Sequence, residues 1–329
     1  MATYKGIKGI KVTSIAGDPT NKIEGDVYYD TTANTLKYIE GEGGTWATDT
    51  AVAMGRHGLG GTGTGSAAIV FGGEYGPPWA RTGNTEEWNG SAWSEESNLS
   101  TPRYSVCSIG RTTTDSICAA GYEPPTSDST ELYNGTAWST LANCNQVRYS
   151  LAGGAGTSSA GLMAGGTPVC AVEEWNGTSW GTVSNLNTET GGSVTTGASA
   201  SAARQTGGSP AATNGGQSEV YNGTSWSVST PLNIGRASGM ASGTESSTLF
   251  WGGGASAPEG GSDVVLTEKW NGTTWTESGD LPNKKQNSGM SSASATSALN
   301  AAGWGPGYNS TQHFQWTYAD TWVKTVTTS

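Results

Sequence analysis

The stretch EEWNGTSWGT, Glu173–Thr182, places an Asn-Gly pair between two tryptophans. Asn-Gly between residues of high β propensity is a strong short-range signal for a hairpin, and a type I′ turn requires φ > 0 at both central residues. Whether the loop has two or four residues, Trp175 and Trp180 fall on one face of the hairpin. Asn176-Gly177-Thr178 is also a glycosylation acceptor in a secreted protein. The rest of the chain separates these interpretations.

Related segments recur along the chain. They are EEWNGSAW from residue 86, ELYNGTAW from 131, EVYNGTSW from 219 and EKWNGTTW from 268, with degenerate copies LKYIEGEGGTW and HFQWTYADTW near the two ends. The second tryptophans of the copies are Trp46, Trp93, Trp138, Trp180, Trp226, Trp275 and Trp322, at intervals of 42 to 49 residues. This period predicts an all-β fold, a β-propeller with one four-stranded blade per repeat.

The four strands of a repeat can be placed from its pattern. Strand a includes RYSVCSIG or RYSLAGGA, strand b is a short apolar run that ends in glycine, such as AAIVFGG, and strand c carries Glu-x-aromatic. The Asn-Gly turn follows, and strand d begins at the second tryptophan. Small residues suit the innermost strands, where neighbouring backbones approach closely.

The number of blades is left open. Six glycine-ending b strands are visible, but there are seven c–d hairpins if Trp46 and Trp322 are counted. If IKGIKVTSI and GDVYYDTT supply the missing strands, the ring has seven blades, which is the arrangement we favour. Otherwise residues 1–50 form a separate hairpin segment, an attachment element beside six blades in residues 51–329.

Composition excludes several classes of function. A net charge of −11, with 16 scattered Lys and Arg, argues against binding nucleic acid, which needs clustered cations. No apolar run approaches the roughly 18 residues of a membrane-spanning helix. The N-terminal residues lack the apolar region of a secretory signal, so we expect no glycan on the turn asparagines. Those residues are Asn89, Asn134, Asn176, Asn222 and Asn271.

Charged residues repeat in register with the blades. Arg56, Arg103, Arg148 and Arg236 open strand a, with Lys285 in the last repeat and Glu189 near the same position in the exceptional one. Glu86, Glu131, Glu173, Glu219 and Glu268 precede the strand-c aromatic by two residues, and Gln312 takes that place in the sixth copy. We favour buried ion pairs that fix register, in which case Glu219 lacks an arginine. The alternative is an anion site at one mouth of the channel.

The four cysteines have no metal-binding spacing, and we favour small buried thiols over a disulfide between Cys107 and Cys118. The acidic loops EPPTSDSTE and SAPEGGSD match no calcium motif. We therefore predict no metal, no cofactor and no catalytic residue.

The b–c loops differ from blade to blade, whereas the a–b and c–d turns are near copies. Diversity concentrated on one face suggests that this face meets partners; unconstrained drift of the loops is the other explanation. Aromatic and cationic residues in these loops suit stacking on sugar rings or anchoring of a protein contact. The candidate binding residues are Tyr75, Trp79, Arg81, Tyr122, Trp304 and Tyr308.

The order of arginine, apolar strand, Gly-Gly, variable loop, Glu-x-aromatic, turn and tryptophan resembles the kelch repeat over residues 51–329. Gly72-Gly73, Gly165-Gly166 and Gly207-Gly208 take the double-glycine place. The resemblance implies a propeller but little about function. Kelch-like oxidases hold copper with two histidines; here His57 and His313 lie at opposite ends of the chain, so copper is not expected.

The segment EGDVYYDTTANTLKYIEG, Glu24–Gly41, predicts a hairpin with Thr31–Asn34 at its tip. It resembles a stretch of tail-fibre and other virion proteins of bacteriophages, of the form Gly-x-x-Tyr-Tyr-Asn/Asp-Thr-Thr-x-Asn-x-Leu-Lys. The resemblance implies a non-enzymatic phage virion protein, assembled in the bacterial host cytoplasm, with other virion proteins as partners. Its expected role is tail-fibre or adhesin-like recognition of a host-surface glycan or protein. Pure head or tail decoration and a carbohydrate-active enzyme are the alternatives.

Overall fold

The computed structural model describes residues 13–17, 27–40, 43–167, 170–208, 215–255, 263–290, 293–305, 308–319 and 322–325. These residues form strands and turns, with no helix among them. A helix long and apolar enough to cross a membrane is accordingly absent from the described ranges. The chain divides into two compact units, residues 1–44 with 318–329, and residues 45–317.

The larger unit contains six mainly antiparallel sheets, which we call blades 1 to 6, with strands a to d from the inside outward. Blade 1 has Gly60–Thr64, Ala67–Phe71, Thr85–Trp88 and Trp93–Glu96; blade 2 has Cys107–Thr112, Asp115–Ala119, Thr130–Tyr133 and Trp138–Thr140. Blade 3 has Ala155–Thr157, Ala160–Ala164, Val172–Trp175 and Trp180–Thr182; blade 4 has Ser193–Ser199, Ala202–Thr206, Ser218–Tyr221 and Trp226–Val228. Blade 5 has Met240–Gly243, Thr248–Trp251, Thr267–Trp270 and Trp275–Ser278; blade 6 has Gly289–Met290, Ser297–Ala301, His313–Ala319 and Gly43–Asp49.

Short strands lie outside these blades on the loops. Three two-stranded ladders are Glu74–Tyr75 with Ala80–Arg81, Arg236–Ala237 with Gly254–Ala255, and Trp304–Gly305 with Tyr308–Asn309. Leu151–Ala152 pairs in parallel with the start of strand a of blade 4. The first and third ladders lie in b–c loops, so they add order to the variable face.

The six innermost strands form a closed ring. Strand a of each blade contacts strand a of the next, and strand a of blade 6 contacts strand a of blade 1. The described residues therefore form a β-propeller of six blades, which confirms the predicted fold class. The favoured count of seven is wrong, and the alternative of six blades with a separate N-terminal segment is the arrangement present.

Backbone hydrogen bonds join each blade to the next. The second glycine of each Gly-Gly or Ala-Gly pair donates its N–H to the carbonyl at the arginine position of the following blade, at 2.7 to 3.2 Å. The bonds are Gly73 to Arg103, Gly121 to Arg148, Gly166 to Thr190, Gly208 to Arg236, Gly253 to Lys285 and Gly303 to Arg56. The donors have φ between 93° and 111°, which residues with a Cβ rarely adopt. Glycine in this position is thus required by ring closure.

Tryptophans of strand d pack across the blade boundaries. Trp138 of blade 2 donates its Nε1–H to Thr85 Oγ1 of blade 1 at 3.0 Å and lies 4.8 Å from the Phe71 ring. Trp46 makes the same contacts between blades 6 and 5, with Thr267 Oγ1 at 3.0 Å and the Trp251 ring at 5.1 Å. Trp138 and Trp46 therefore have the predicted structural role, since each joins its own blade to the neighbouring one.

Blade 6 is completed by an N-terminal strand. The ring centroids of Trp46 and Trp316 are 5.4 Å apart, the same separation as for Trp88 and Trp93 within blade 1. The assignment of Trp322 to strand d of this blade is wrong, because Trp322–Thr325 pairs with Thr35–Glu40 in the smaller unit. Strand c of blade 6 continues through Ala319 and has no Asn-Gly after Trp316, so no tight hairpin forms there.

The Asn-Gly turns are four-residue loops. Trp175 pairs with Trp180 across strands c and d, and Asn176 N–H donates to the Ser179 carbonyl at 3.2 Å. The Asn176 Oδ1 accepts the N–H groups of Thr178 and Ser179, both at 2.9 Å. Gly177 has φ of 92° whereas Asn176 is not left-handed, so the type I′ geometry is wrong. In this loop Gly177 is the one left-handed residue, and the asparagine side chain satisfies two of the N–H groups.

The smaller unit is a four-stranded sheet in the order Thr13–Ile15, Val27–Asp30, Thr35–Glu40 and Trp322–Thr325. Its predicted hairpin, with residues 31–34 at the tip, is confirmed. The Asp30 carboxylate contacts Lys37 Nζ at 2.8 Å and accepts the N–H groups of Gly17, Thr32 and Ala33. The Lys37 bond and these N–H groups hold the pKa of Asp30 well below its usual range. The unit boundary lies at residue 45, not 50, and the unit includes C-terminal residues.

The prediction of buried thiols is confirmed for Cys107, Cys118 and Cys144, whereas Cys170 is half-buried. Cys107 pairs with Ala119 and Cys118 with Ser108, so the two cysteine side chains lie on opposite faces of blade 2. All four cysteines are free, and burial raises the pKa of Cys118 to about 11 and that of Cys144 to about 12. These thiols act as small apolar packing groups.

Candidate functional site

The repeated arginines form buried ion pairs, as predicted. Arg56 contacts Glu86 at 2.5 Å, Arg103 contacts Glu131 at 2.8 Å and Arg236 contacts Glu268 at 3.1 Å; Arg148 pairs with Glu173. The other oxygen of each glutamate accepts a backbone N–H three residues before the arginine, from Ala53, Ser100, Asn145 or Asn233. The arginine side chains are 0% exposed, so they are not available for an anion site at the channel mouth.

Blades 4 and 6 depart from this pattern. In blade 4 the carbonyl that accepts the inter-blade bond belongs to Thr190, which shows that Thr190 and not Glu189 takes the arginine position. Glu219 accepts the N–H groups of Asn187 and Thr188 at 3.0 Å, and no cation pairs with it in the described residues. In blade 6 burial lowers the pKa of Lys285 to about 8.

The residue that follows the arginine position lies beside the channel mouth on the b–c side. In blades 1 to 6 these residues are His57, Tyr104, Tyr149, Gly191, Ala237 and Gln286. At this position aromatic side chains therefore occur only in blades 1 to 3. The ring is built from repeats, but this mouth is chemically asymmetric.

The next residue in each blade is left-handed, with φ between 50° and 67°. These residues are Gly58, Ser105, Ser150, Gly192, Ser238 and Asn287. Five backbone bonds run between neighbouring members, from Gly58 to Asn287, Ser105 to Gly58, Gly192 to Ser150, Ser238 to Gly192 and Asn287 to Ser238, at 2.6 to 3.0 Å. A ring of six residues, two glycines and four small polar residues, thus surrounds the channel mouth, and we call it the axial ring.

His57 is held in one tautomeric arrangement by the b–c loop of blade 6. The Asn309 Nδ2 group donates to the Gly76 carbonyl at 3.2 Å, so Asn309 Oδ1 faces His57 Nδ1 at 2.8 Å. An amide oxygen only accepts, and Nδ1 therefore carries a hydrogen. The other ring nitrogen, Nε2, lies 3.7 Å from Glu74 Oε2.

Glu74 and Arg81 face each other across the two-residue ladder in the b–c loop of blade 1. Arg81 Nε lies 3.2 Å from Glu74 Oε1, and the guanidinium carbon is 5.7 Å from the Tyr104 ring and 5.4 Å from the Tyr122 ring. Burial, followed by the charge of Glu74, raises the pKa of Tyr104. The Tyr122 ring lies 5.5 Å from that of Tyr149, so the aromatic wall continues to blade 3.

Two tryptophans form the opposite side of the cluster. Trp79 and Trp304 stack with ring centroids 5.5 Å apart and planes inclined by 25°. The His57 ring lies edge-on to both, at 6.1 Å from Trp79 and 5.0 Å from Trp304. Trp79 is 44% exposed, so a large aromatic surface borders the buried His57 and Glu74 and the partly exposed Arg81. We call this assembly the mouth cluster; its residues are His57, Glu74, Trp79, Arg81, Tyr104, Tyr122, Trp304 and Asn309.

Four of the six predicted binding residues, Trp79, Arg81, Tyr122 and Trp304, meet in the mouth cluster. Tyr75 is exposed, and strand alternation points it away from the Glu74 side of the ladder. The Tyr308 backbone pairs with Gly305, but its side chain lies outside the described part of the chain. The sequence reasoning missed His57, Glu74, Tyr104, Tyr149 and Asn309. A sequence signal was available for His57, Tyr104 and Tyr149, because each follows the arginine position of its blade.

The second histidine belongs to a different environment. His313 begins strand c of blade 6 and packs 4.6 Å from the Trp88 ring. The Thr50 carbonyl lies 3.1 Å from His313 Nδ1, and His313 Nε2 is buried with no hydrogen-bond partner in the described residues. Burial lowers the pKa of His313 to about 4. Within the described ranges, no group of three or more His, Cys, Asp and Glu is placed to hold a metal ion.

We expect His313 to make the fold sensitive to acid. The pKa of His313 is about 4 in the folded protein and 6.5 for an unperturbed histidine, so only the unfolded chain takes up this proton between these values. Stability should therefore fall by about 3 kcal/mol as pH falls from 6.5 to 4. Urea unfolding at several pH values of the wild type and of His313→Asn, whose amide can replace Nδ1 as donor, isolates the effect. Equal pH slopes for both proteins would contradict the assignment.

Comparison with known proteins shows the fold and leaves the function open. No protein-family model matches the chain, and no curated protein is similar in sequence. The solved structure of YjhT superposes with a TM-score of 0.64 at 12% identity, over 84% of this chain and 99% of that chain. The likeness supports the all-β, kelch-type propeller with four-stranded blades and shows nothing beyond the fold.

Proposed function

We propose that this protein is a non-enzymatic virion component of a tailed bacteriophage, a tail-fibre or adhesin-like propeller that binds a host-surface glycan or protein. The observation that carries the binding role is the mouth cluster, in which exposed Trp79 adjoins the buried pair of His57 and Glu74. Concave sites with exposed aromatics and a few placed polar groups are typical of ligand recognition. The virion assignment rests on the resemblance of Glu24–Gly41 to phage virion proteins.

The asymmetry of the mouth supports a binding site over a purely structural role. Ring stability requires the same inter-blade bonds in every blade, and those bonds are present in all six. Aromatic residues after the arginine position occur only in blades 1 to 3, so they are not needed for closure. His57, the first of these residues, contacts Trp304 and Asn309 of blade 6. This meeting of separate blades at the mouth favours a role in contacting a ligand.

Replacement of Trp79 by alanine should weaken binding to the receptor at least tenfold, because Trp79 provides the largest exposed aromatic surface of the mouth cluster. The measurement is binding of purified protein to immobilised bacterial surface polysaccharides and to whole cells. Val228→Ala is the matched control, because Val228 is 77% exposed and lies on strand d of blade 4. Equal binding by both variants would show that the mouth cluster is not the receptor-binding site.

Two further measurements test the class of function. Labelling of the chain in intact phage particles by electron microscopy should place it on the tail, and a position on the head would favour the decoration role. Incubation with host polysaccharide, followed by mass analysis of the products, should show no turnover. Cleavage that is lost in Glu74→Gln would overturn the non-enzymatic assignment.

A further inference from the structure

His57 Nε2 and Glu74 Oε2 form a pair of hydrogen-bond acceptors when His57 is neutral. The hydrogen of the neutral ring is on Nδ1, committed to Asn309 at 2.8 Å, so Nε2 carries a lone pair. This lone pair lies 3.7 Å from a carboxylate oxygen. The His57 and Glu74 side chains are 11% and 10% exposed. Two acceptors cannot satisfy each other, so the pair needs an O–H or N–H donor from outside the protein.

The charges around this pair cancel. Arg81 Nε lies 3.2 Å from the other oxygen of Glu74, and its guanidinium packs against the rings of Tyr104 and Tyr122. In the described part of the chain, the charged and titratable residues that contact His57 and Glu74 are Arg81 and Tyr104. An anionic ligand would meet a carboxylate here and an arginine that is already paired. A neutral ligand with hydroxyl donors avoids this repulsion.

Aromatic and polar surfaces adjoin the acceptor pair. Trp79 presents an exposed ring beside His57, and the axial ring contributes Ser105 next to Tyr104. A pyranose has an apolar C–H face that stacks on aromatic rings and an edge of hydroxyl groups that donate hydrogen bonds. These two features match the exposed tryptophan and the acceptor pair.

We infer that the mouth cluster recognises a neutral sugar residue whose hydroxyl groups donate to His57 Nε2 and Glu74 Oε2. This inference rests on the proposed receptor-binding function and specifies its ligand.

The test uses the full chain and soluble polymers that carry neutral hexoses, N-acetylhexosamines or uronic acids, with binding measured by biolayer interferometry at pH 8. We expect at least tenfold tighter binding to a neutral polymer than to a uronic acid polymer. Preference for the uronic acid would overturn the inference.

Three variants separate recognition from folding. Glu74→Gln should weaken binding at least tenfold at pH 8, because one acceptor becomes an amide. Asn309→Leu removes the acceptor that holds the hydrogen on Nδ1, so His57 can carry it on Nε2 instead, and binding should weaken at least tenfold. Val228→Ala changes an exposed side chain on strand d of blade 4 and should leave binding unchanged. Unchanged binding in Asn309→Leu would exclude His57 Nε2 as the acceptor.

The outcomes distinguish this inference from the function on which it rests. If no polymer binds but the protein binds host cells in a protease-sensitive way, the receptor is a protein; the proposed function then stands and the sugar inference is overturned. If neither cells nor polymers bind, both are overturned. Binding to a neutral polymer, together with the expected loss in Glu74→Gln, supports both.

Discussion

Replacing Arg103 with alanine is expected to lower the free energy of unfolding by about 3–5 kcal/mol, because it leaves the Glu131 carboxylate buried without its cation. Arg103 is fully buried, and its Nη1 lies 2.8 Å from Glu131 Oε1. Its Nη2 also donates to the Cys118 carbonyl at 3.2 Å, so the substitution removes a link between strand b of blade 2 and the preceding loop. Urea unfolding followed by tryptophan fluorescence measures the change.

Blade 4 supplies the matched control for this substitution. Thr190 takes the arginine position there, and Glu219 is satisfied by backbone N–H groups. The Thr190 hydroxyl donates to Ser193 and accepts from Gln205, so Thr190→Ala should cost only about 2 kcal/mol, the typical effect of two lost hydrogen bonds. The double variant Arg103→Met, Glu131→Gln should recover much of the stability lost in Arg103→Ala, since no charge remains buried. Equal losses in Arg103→Ala and Thr190→Ala would show that the ion pair is dispensable.

Trp46→Ala is expected to reduce stability by about 3–5 kcal/mol, in the range for truncation of a buried tryptophan, and to broaden the unfolding transition. Trp46 is 8% exposed and contacts the rings of Trp251 and Trp316. Its strand closes blade 6 without a hairpin to strand c, so pairing depends on tertiary contacts alone. Loss of these contacts should open the ring between its first and last strands.

Trp138→Ala is the corresponding control in blade 2. Trp138 donates to Thr85 Oγ1 at 3.0 Å, just as Trp46 donates to Thr267 Oγ1 at 3.0 Å. The four-residue turn after Tyr133 holds its strand in place when the side chain is removed. We expect a loss of about 1–3 kcal/mol and a transition as sharp as that of the wild type. A larger loss for Trp138→Ala than for Trp46→Ala would contradict closure by the N-terminal strand.

Local and periodic features were predictable from the sequence. The c–d hairpins are formed by neighbouring residues, and repetition of the motif revealed the blades without any knowledge of long-range contacts. The arginine–glutamate pairs were predictable because both partners repeat in the same register. The exception at Glu219 was predictable for the same reason, although the residue that replaces arginine proved to be Thr190.

Features that depend on ring closure were not predictable. Trp46 and Trp322 both have the motif of an outer strand, and sequence alone does not say which one completes blade 6. The structure pairs Trp46 with that blade and places Trp322 in the smaller unit. The number of blades depends on this choice. If Trp322 completed blade 6, the Trp46 strand would belong to a seventh blade; because Trp46 completes blade 6, the ring has six.

Local and periodic features of the chain were enough to predict the repeating unit, the fold class, the buried ion pairs and the face on which the variable loops lie. How the ring closes, and which side chains meet at its mouth, depends on long-range contacts. His57 and Asn309 are 252 positions apart in the chain and 2.8 Å apart in space. Ring closure makes the first and last blades neighbours, so the site combines residues whose proximity no local pattern records.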